Sequence, residues 1–196
     1  KNNIPFVFDM HGFYADERVD GGLWNKNHFL FKRVYNFFKK KERAFCQESN
    51  HIISLTSSGK KEMESWKLKK LSPISVIPCC TDEKLFDPNN IKKLSKKLDV
   101  KDDDFVLSYV GSIGTWYMLD EMLDFFIVLQ KKKSNAKFLF ITKDNPNNIY
   151  VKAKEKGIDT TSILIQPSPR ELMPSYISLS HFSIFFILPV FSKKAS

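Results

Sequence analysis

The chain has 196 residues, 42% of them hydrophobic and 14% aromatic, which is enough apolar content for one large or two small packed domains and too much for a disordered chain. Lys and Arg number 31 against 22 Asp and Glu, a formal charge of +9, which suits an anionic partner such as nucleic acid, a membrane surface or a phosphorylated substrate. No apolar run approaches the ~20 residues of a membrane span, and Cys46, Cys79 and Cys80 make neither a disulfide framework nor a zinc motif, so they read as reduced thiols.

Apolar runs and helical patterns alternate along the chain. "IPFVF" (4–8) reads as a strand, followed by the polar loop "DMHGFYADERVDGG". Residues 27–48 have helix character, with Phe31, Val34, Tyr35, Phe38 and Phe45 mostly on one stripe. These aromatics are expected to pack beneath a sheet and the lysines to be exposed; contact of this basic, aromatic helix with an anionic membrane is the alternative. "HIISLT" (51–56) is a strand, a helix over 58–70 follows with Ser57 or Ser58 as its cap, and "ISVIP" (74–78) is a third strand. The lysine runs at 39–41, 60–61 and 131–133 read as solvated helix faces and ends.

The character changes at "CCTDEKLFDPNN", a candidate linker. A lysine-rich helix (90–98) leads to the strand 105–110. Helix 116–131, strand 137–142, helix 147–156, strand 162–166, helix 169–179 and a last strand at 181–188 complete the series, the apolar run "FSIFFILPVF" reading as buried. Near-continuous apolar strands separated by helices indicate an α/β fold with parallel sheets covered on both faces, in two doubly wound, Rossmann-like units. The expected domains are 1–79 and 91–196, joined by a linker at 80–90. Both ends read as cut.

In such sheets ligands lie beyond the carboxyl ends of the strands, which places the loops 9–25, 111–116, 142–147 and 166–170 on the functional edge. "GSIG" (111–114) follows a strand and precedes a helix. It suits a phosphate cradle of backbone N–H groups or a plain glycine-bearing turn. It is neither a dinucleotide fingerprint nor a P-loop, and residues 111–118 contain no Lys or Arg. In "DMHG" (9–12), His11 follows a strand directly and suits hydrogen bonding to a sugar hydroxyl or proton transfer; ordering of the loop is the plainer role. Asp16 and Glu17 share that loop, with surface solvation as their expected state. His28, His51 and His181 stand at helix or strand starts and read as structural.

These landmarks together resemble the retaining glycosyltransferases of family 4, which have the two-domain GT-B fold. The resemblance rests on "FDMHG", "NHIISLTSSGKKEM", "ISVIPCCTDEKLFDP", "LSYVGSIGTW" and "ILIQPSPRELMPSYISLSHFSIFFILP", in order over nearly the whole chain. It implies transfer of a sugar from a nucleotide-diphosphate sugar to a glycan or lipid-linked acceptor, with no metal or other cofactor and no nucleic acid as partner. It implies work at the cytoplasmic side of a membrane, with peripheral membrane contact. His11 would stand near the transferred sugar as the catalytic histidine, with Gly12, Asp16 and Glu17 in the acceptor loop. Gly111, Ser112, Ile113, Gly114 and Thr115 would meet the departing diphosphate, and Pro167 and Ser168 would border the nucleobase. On this resemblance the stretch at 111–115 is better read as the cradle. The chain departs from the family at Ser112, which stands near an arginine position, and in having no lysine after it. The family's paired glutamates would begin at or beyond Ser196, so both Rossmann-like units are expected to be truncated and the segment inactive by itself. A GT-B sugar-nucleotide epimerase and a non-catalytic basic module for membrane or nucleic acid are the alternatives.

Overall fold

The structure is a computed structural model that describes residues 4–91 and 98–195. The chain divides into two compact units, one of Lys1–Cys80 with Pro189–Ser196, the other of Thr81–Leu188. The sequence reading gave the last eight residues to the second domain, whereas here they go with the first. The lysine-rich helix expected over 90–98 falls on residues 92–97, which lie outside the described residues.

The first unit is a three-stranded parallel sheet, β1 (Val7–Met10), β2 (His51–Ser54) and β3 (Ile74–Val76), in that spatial order. Helices α1 (Tyr14–Asp20) and α2 (Phe29–Glu48) connect β1 to β2, and α3 (Ser57–Ser65) connects β2 to β3. The polar stretch after β1 is therefore a helix and not a loop over its whole length. Its core is small: Met10, Phe13, Cys46, Ile52, Met63 and Ala195. Ala195 belongs to a 3₁₀ turn (Phe191–Ala195), and the Phe191 ring stacks on Phe13 at 5.4 Å. Lys194 carbonyl accepts from Thr56 Oγ1, and Ser192 N donates to Asp20, so the tail is fastened by polar bonds as well. Thr56, not Ser57 or Ser58, caps α3, accepting from Gly59 N at 2.9 Å. A threonine one residue earlier in the extended conformation reaches the N3 amide equally well. Burial holds the Cys46 thiol protonated, its pKa pushed up to about 12.

Two expectations about α2 fail. Of the expected stripe, Phe31, Val34, Tyr35 and Phe38 are only half-buried and Phe45 is exposed, so Cys46 is the one fully buried residue that α2 gives to the core. Lys39, from the lysine run, is mostly buried instead. Its Nζ donates to Asp16 Oδ2 at 2.8 Å and pairs with Glu42, while it lies over the Trp66 and Phe13 rings at 4.8 and 5.4 Å. Asp16 also accepts from Tyr35 Oη at 2.7 Å and is only 5% exposed. Its expected surface solvation is thus replaced by an internal ion cluster that fastens α1 to α2. Burial raises the Glu42 carboxyl, and burial followed by the hydrogen bond to Asp16 raises the Tyr35 phenol.

The second unit has a four-stranded parallel sheet in the order β6-β5-β4-β7, with β4 (Phe105–Val110), β5 (Ala136–Ile141), β6 (Ile163–Ile165) and β7 (Phe182–Ser183). Helices α4 (Leu119–Lys132), α5 (Pro146–Glu155) and α6 (Met173–Ile177) connect them. One face of the sheet packs Leu107, Tyr109, Phe138 and Phe140 against Met122, Leu123 and Phe126 of α4 and Ile149 and Ala153 of α5. The other face packs Val106, Leu139 and Ile141 against Tyr176. Apolar residues at every position of β4 but Ser108 and of β5 but Lys137 are the signature of strands covered on both sides. The expected long, buried last strand is not formed. Only Phe182 and Ser183 pair with β4, and Phe182 and Phe185 remain exposed. The remainder of 181–188 is held by single backbone bonds, His181 N to Val106 O, Ile184 N to Ser108 O, Met118 N to Phe186 O and Leu188 N to Trp116 O. Helix 169–179 is likewise shorter, because Pro169 and Pro174 confine it to a 3₁₀ turn (Arg170–Leu172) followed by α6.

Asp16→Ala should cost the folded protein about 3 kcal/mol, because it strands a buried ammonium with one remaining carboxylate. Tyr35→Phe should cost only about 1 kcal/mol. Urea unfolding of the two variants would check the difference, and equal midpoints would contradict it.

Candidate functional site

Loop 111–118 is built from β4 outward. Gly111 has φ +147° and donates its N–H to Ile141 O, extending the sheet by one bond. A Cβ on Gly111 would lie 2.9 Å from Tyr109 Oη, because that hydroxyl folds back beneath the loop and donates to Ser112 O at 2.6 Å. Burial raises the Tyr109 phenol above its ordinary value, with Tyr117 and then Asp144 adding to it, so it acts as a neutral donor. Ile113 N donates to the Asp144 carboxylate. Gly114 (φ +96°) and Thr115 (φ +57°) turn the chain, and Tyr117 N closes the turn on Gly114 O. Met118 N then bonds Phe186 O, and the helix begins at Leu119, three residues later than expected, with Asp120 and Glu121 in its first turn.

The amides of the 111–115 stretch are thus not all available to a ligand. Gly111 N is in the sheet and Ile113 N is held by Asp144, while Ser112 and Thr115 are exposed and their amides have no partner among the described residues. The loop borders a cavity of about 220 Å3 lined by Gly111, Ser112, Thr142, Lys143 and Ser168 with Val110, Ile141 and Met173. Neither Trp116 nor Tyr117 is among its walls. Three strands meet here at their carboxyl ends, where open α/β sheets bind ligands. Ser168 is buried and its Oγ donates to Pro169 O at 2.8 Å; Pro167 is exposed and lies outside the lining. Gly114 and Thr115 also lie outside it.

Lys143 and Asp144 are the residues that sequence reasoning missed. Lys143 supplies the cation that 111–118 lacks. It is exposed and has no carboxylate partner among the described ion pairs. The signal was its position directly after the fifth strand, in a loop already assigned to the functional edge.

The other predicted residues stand in the first unit. His11 follows β1, its Nε2 2.8 Å from Asp9 Oδ2, and its side chain is exposed. His11, Gly12 and Glu17 line a cavity of about 430 Å3 with Asp9, Glu42 and Lys41 and the rings of Phe8, Tyr14, Phe38 and Phe45. A Cβ on Gly12 would come 2.9 Å from Glu17 Oε1, so glycine lets that carboxylate fold over the loop. Glu17 is engaged by Lys193 at 3.3 Å. Asp16 lies below, in the ion cluster, and not on the cavity wall. Of the remaining histidines, His51 bonds Ser75 Oγ, and His181 Nδ1 accepts from Val106 N, both structural roles. Among the described residues no group of three or more His, Cys, Asp or Glu is placed to hold a metal ion.

Two sheets of parallel strands, each followed by helices, match solved structures over nearly the whole chain. The fold is of the GT-B type. A sucrose-phosphate synthase from Thermosynechococcus elongatus superposes with a TM-score of 0.71 at 14% identity, over 93% of this chain and 44% of that one. A UDP-forming α,α-trehalose-phosphate synthase from Burkholderia xenovorans gives 0.70 at 11% identity, over 95% and 48%. The HepE protein of Anabaena, solved with UDP-glucose, gives 0.60 at 14% identity, over 91% and 46%. This GT-B-type chain therefore spans a little under half the length of each. No family model matches the sequence, and no curated protein matches it.

Gly111→Val should destabilise the protein by roughly 2–3 kcal/mol, through φ strain and collision with Tyr109 Oη. Adding Tyr109→Phe to Gly111→Val should recover part of that loss. Additive thermal-unfolding penalties in the double variant would contradict the assigned collision.

Proposed function

We propose that the chain is part of a glycosyltransferase that moves a sugar, with retention, from a nucleotide-diphosphate sugar to a glycan or lipid-linked acceptor at the cytoplasmic side of a membrane. The observation that carries this reading is the cavity at the carboxyl edge of the second sheet, where Ser112, Lys143 and Ser168 come together from three βα loops. Its volume suits a diphosphate and not a whole nucleotide sugar. The Ser112 amide and the Lys143 ammonium face the site where negative charge would build as the sugar–phosphate bond breaks, and fixed donors there lower the barrier without reorganising. Asp144 holds Ile113 N, so the loop keeps its shape before a ligand arrives, and Lys143 offsets the carboxylate's own charge. Pro167, just outside the cavity, and Ser168 on its wall would border the base.

The cavity beside His11 is read as the acceptor side. Donation of Nε2–H to Asp9 leaves Nδ1 as an acceptor, suited to a hydroxyl of the transferred or receiving sugar. Aromatic walls from Phe8, Tyr14, Phe38 and Phe45 would pack the apolar face of a sugar ring or the first carbons of a lipid-linked acceptor. A UDP-sugar is the first donor to test, since HepE was solved with UDP-glucose.

Titration of the full-length protein with UDP should show Lys143→Met binding at least tenfold more weakly, the loss of one charge-assisted contact. His11→Ala should leave UDP affinity unchanged and lower sugar transfer on the order of a hundredfold. UDP affinity that ignores Lys143, or transfer that ignores His11, would contradict the assignment.

A further inference from the structure

From Gly21 to Lys41 the chain contains no Asp or Glu but carries Lys26, Lys32, Arg33, Lys39, Lys40 and Lys41. Only Lys39 of these turns inward, to Asp16 and Glu42. At about 100° per residue, Phe29, Leu30, Arg33, Phe37, Lys40 and Lys41 fall within an arc of roughly 120° on α2, opposite Tyr35, Glu42 and Cys46. All six are exposed, and the apolar ones are 64% (Phe29), 52% (Leu30) and 56% (Phe37) accessible. Leu23, just before the helix, is 55% accessible. Cations and rings share this surface: Arg33 lies 4.9 Å over Phe29 and Lys41 5.8 Å over Phe37. The carboxylates of α1 are engaged elsewhere, Asp16 by Lys39, Asp20 by Ser192 N and Glu17 by Lys193.

We propose that this face of α2 docks on an anionic lipid surface. Phe29, Leu30 and Phe37 enter the boundary between headgroups and acyl chains, and Arg33, Lys40 and Lys41 meet the anionic headgroups. An amphipathic helix with apolar and basic residues mingled on its outer face suits the plane of a bilayer interface, and each nearby cation adds to the attraction. No helix of the described residues is long and apolar enough to cross a membrane; the proposed contact lies in the plane of the interface. A second copy of the chain would bring like charges face to face across the same patch. Nucleic acid would be served by the cations but gives Leu23 and Leu30 no apolar phase to enter. This inference deepens the membrane placement of the proposed function and is independent of the donor-site residues.

The test is co-sedimentation of the full chain with phosphatidylcholine vesicles, with and without phosphatidylglycerol, at low and high salt. Binding should require phosphatidylglycerol and weaken with salt. The double variant Arg33→Gln/Lys40→Gln should bind at least tenfold more weakly, and Phe29→Ser/Leu30→Ser/Phe37→Ser likewise. Both variants alter exposed side chains, so their unfolding midpoints and UDP affinities should match the parent. Equal sedimentation with neutral and anionic vesicles would overturn the proposal, as would indifference to both variants. Binding to an RNA or DNA oligomer without vesicle binding would overturn it, and so would self-association that the serine variant abolishes. Vesicle binding without UDP binding would sink the transferase reading alone.

Discussion

The hydrogen bond from Ile113 N to the Asp144 carboxylate is the constraint on which the second unit's edge depends. A βα loop of two glycines has many conformations, and most would scatter its amides. Here the chain is held at four points: Gly111 by Ile141 O, Ser112 by Tyr109 Oη, Ile113 by Asp144 and Met118 by Phe186 O. The remaining exposed amide of Ser112 is left where Lys143 and Ser168 converge. A carboxylate beside a proposed anion site is a contradiction only if the loop's amides are taken as one group. Distributed along the turn, one amide fixes the backbone and its neighbour stays available.

The two units hold themselves together differently. The second has a two-faced sheet with aromatic layers, Phe138 and Phe140 lying 4.1 Å apart and Phe126 packing on Phe138 at 5.2 Å. The first has few fully buried apolar side chains and relies on the Asp16, Tyr35, Lys39 and Glu42 cluster, with the residues around Phe191 closing one side. Buried ion pairs add little net stability, but losing one partner strands the other. This one ties α1 to α2 through Asp16, Tyr35 and Lys39.

Much of the fold was legible because parallel strands buried on both faces announce themselves. Strand β4 was found at its true limits, and the alternation of strands and helices gave the fold class. What failed has physical causes. The run "FSIFFIL" is apolar enough for a buried strand, yet it lies at the edge of its sheet and leaves Phe182 and Phe185 outside. The aromatic stripe of α2 reads as a core face, although the same periodicity puts Tyr35, Lys39, Glu42 and Cys46 on one face, a polar seam hidden within a lysine run. At the site, glycine spacing located the loop, but not which amides were free. The cation and carboxylate of the proposed site, Lys143 and Asp144, come from the loop after β5, and nothing in 111–118 points to them.

The most direct test of the account is a map of backbone amide shifts in the isotope-labelled protein as UDP-glucose is added. The account predicts saturable shifts at Ser112, Lys143 and Ser168, a smaller change at Ile113, whose amide is already bonded to Asp144, and none in β1–β3. Large shifts at Ile113 with none at Lys143 would show that the ligand displaces Asp144 and would contradict the division of labour argued above. No saturable shift at the carboxyl edge of the second sheet would contradict the donor site itself.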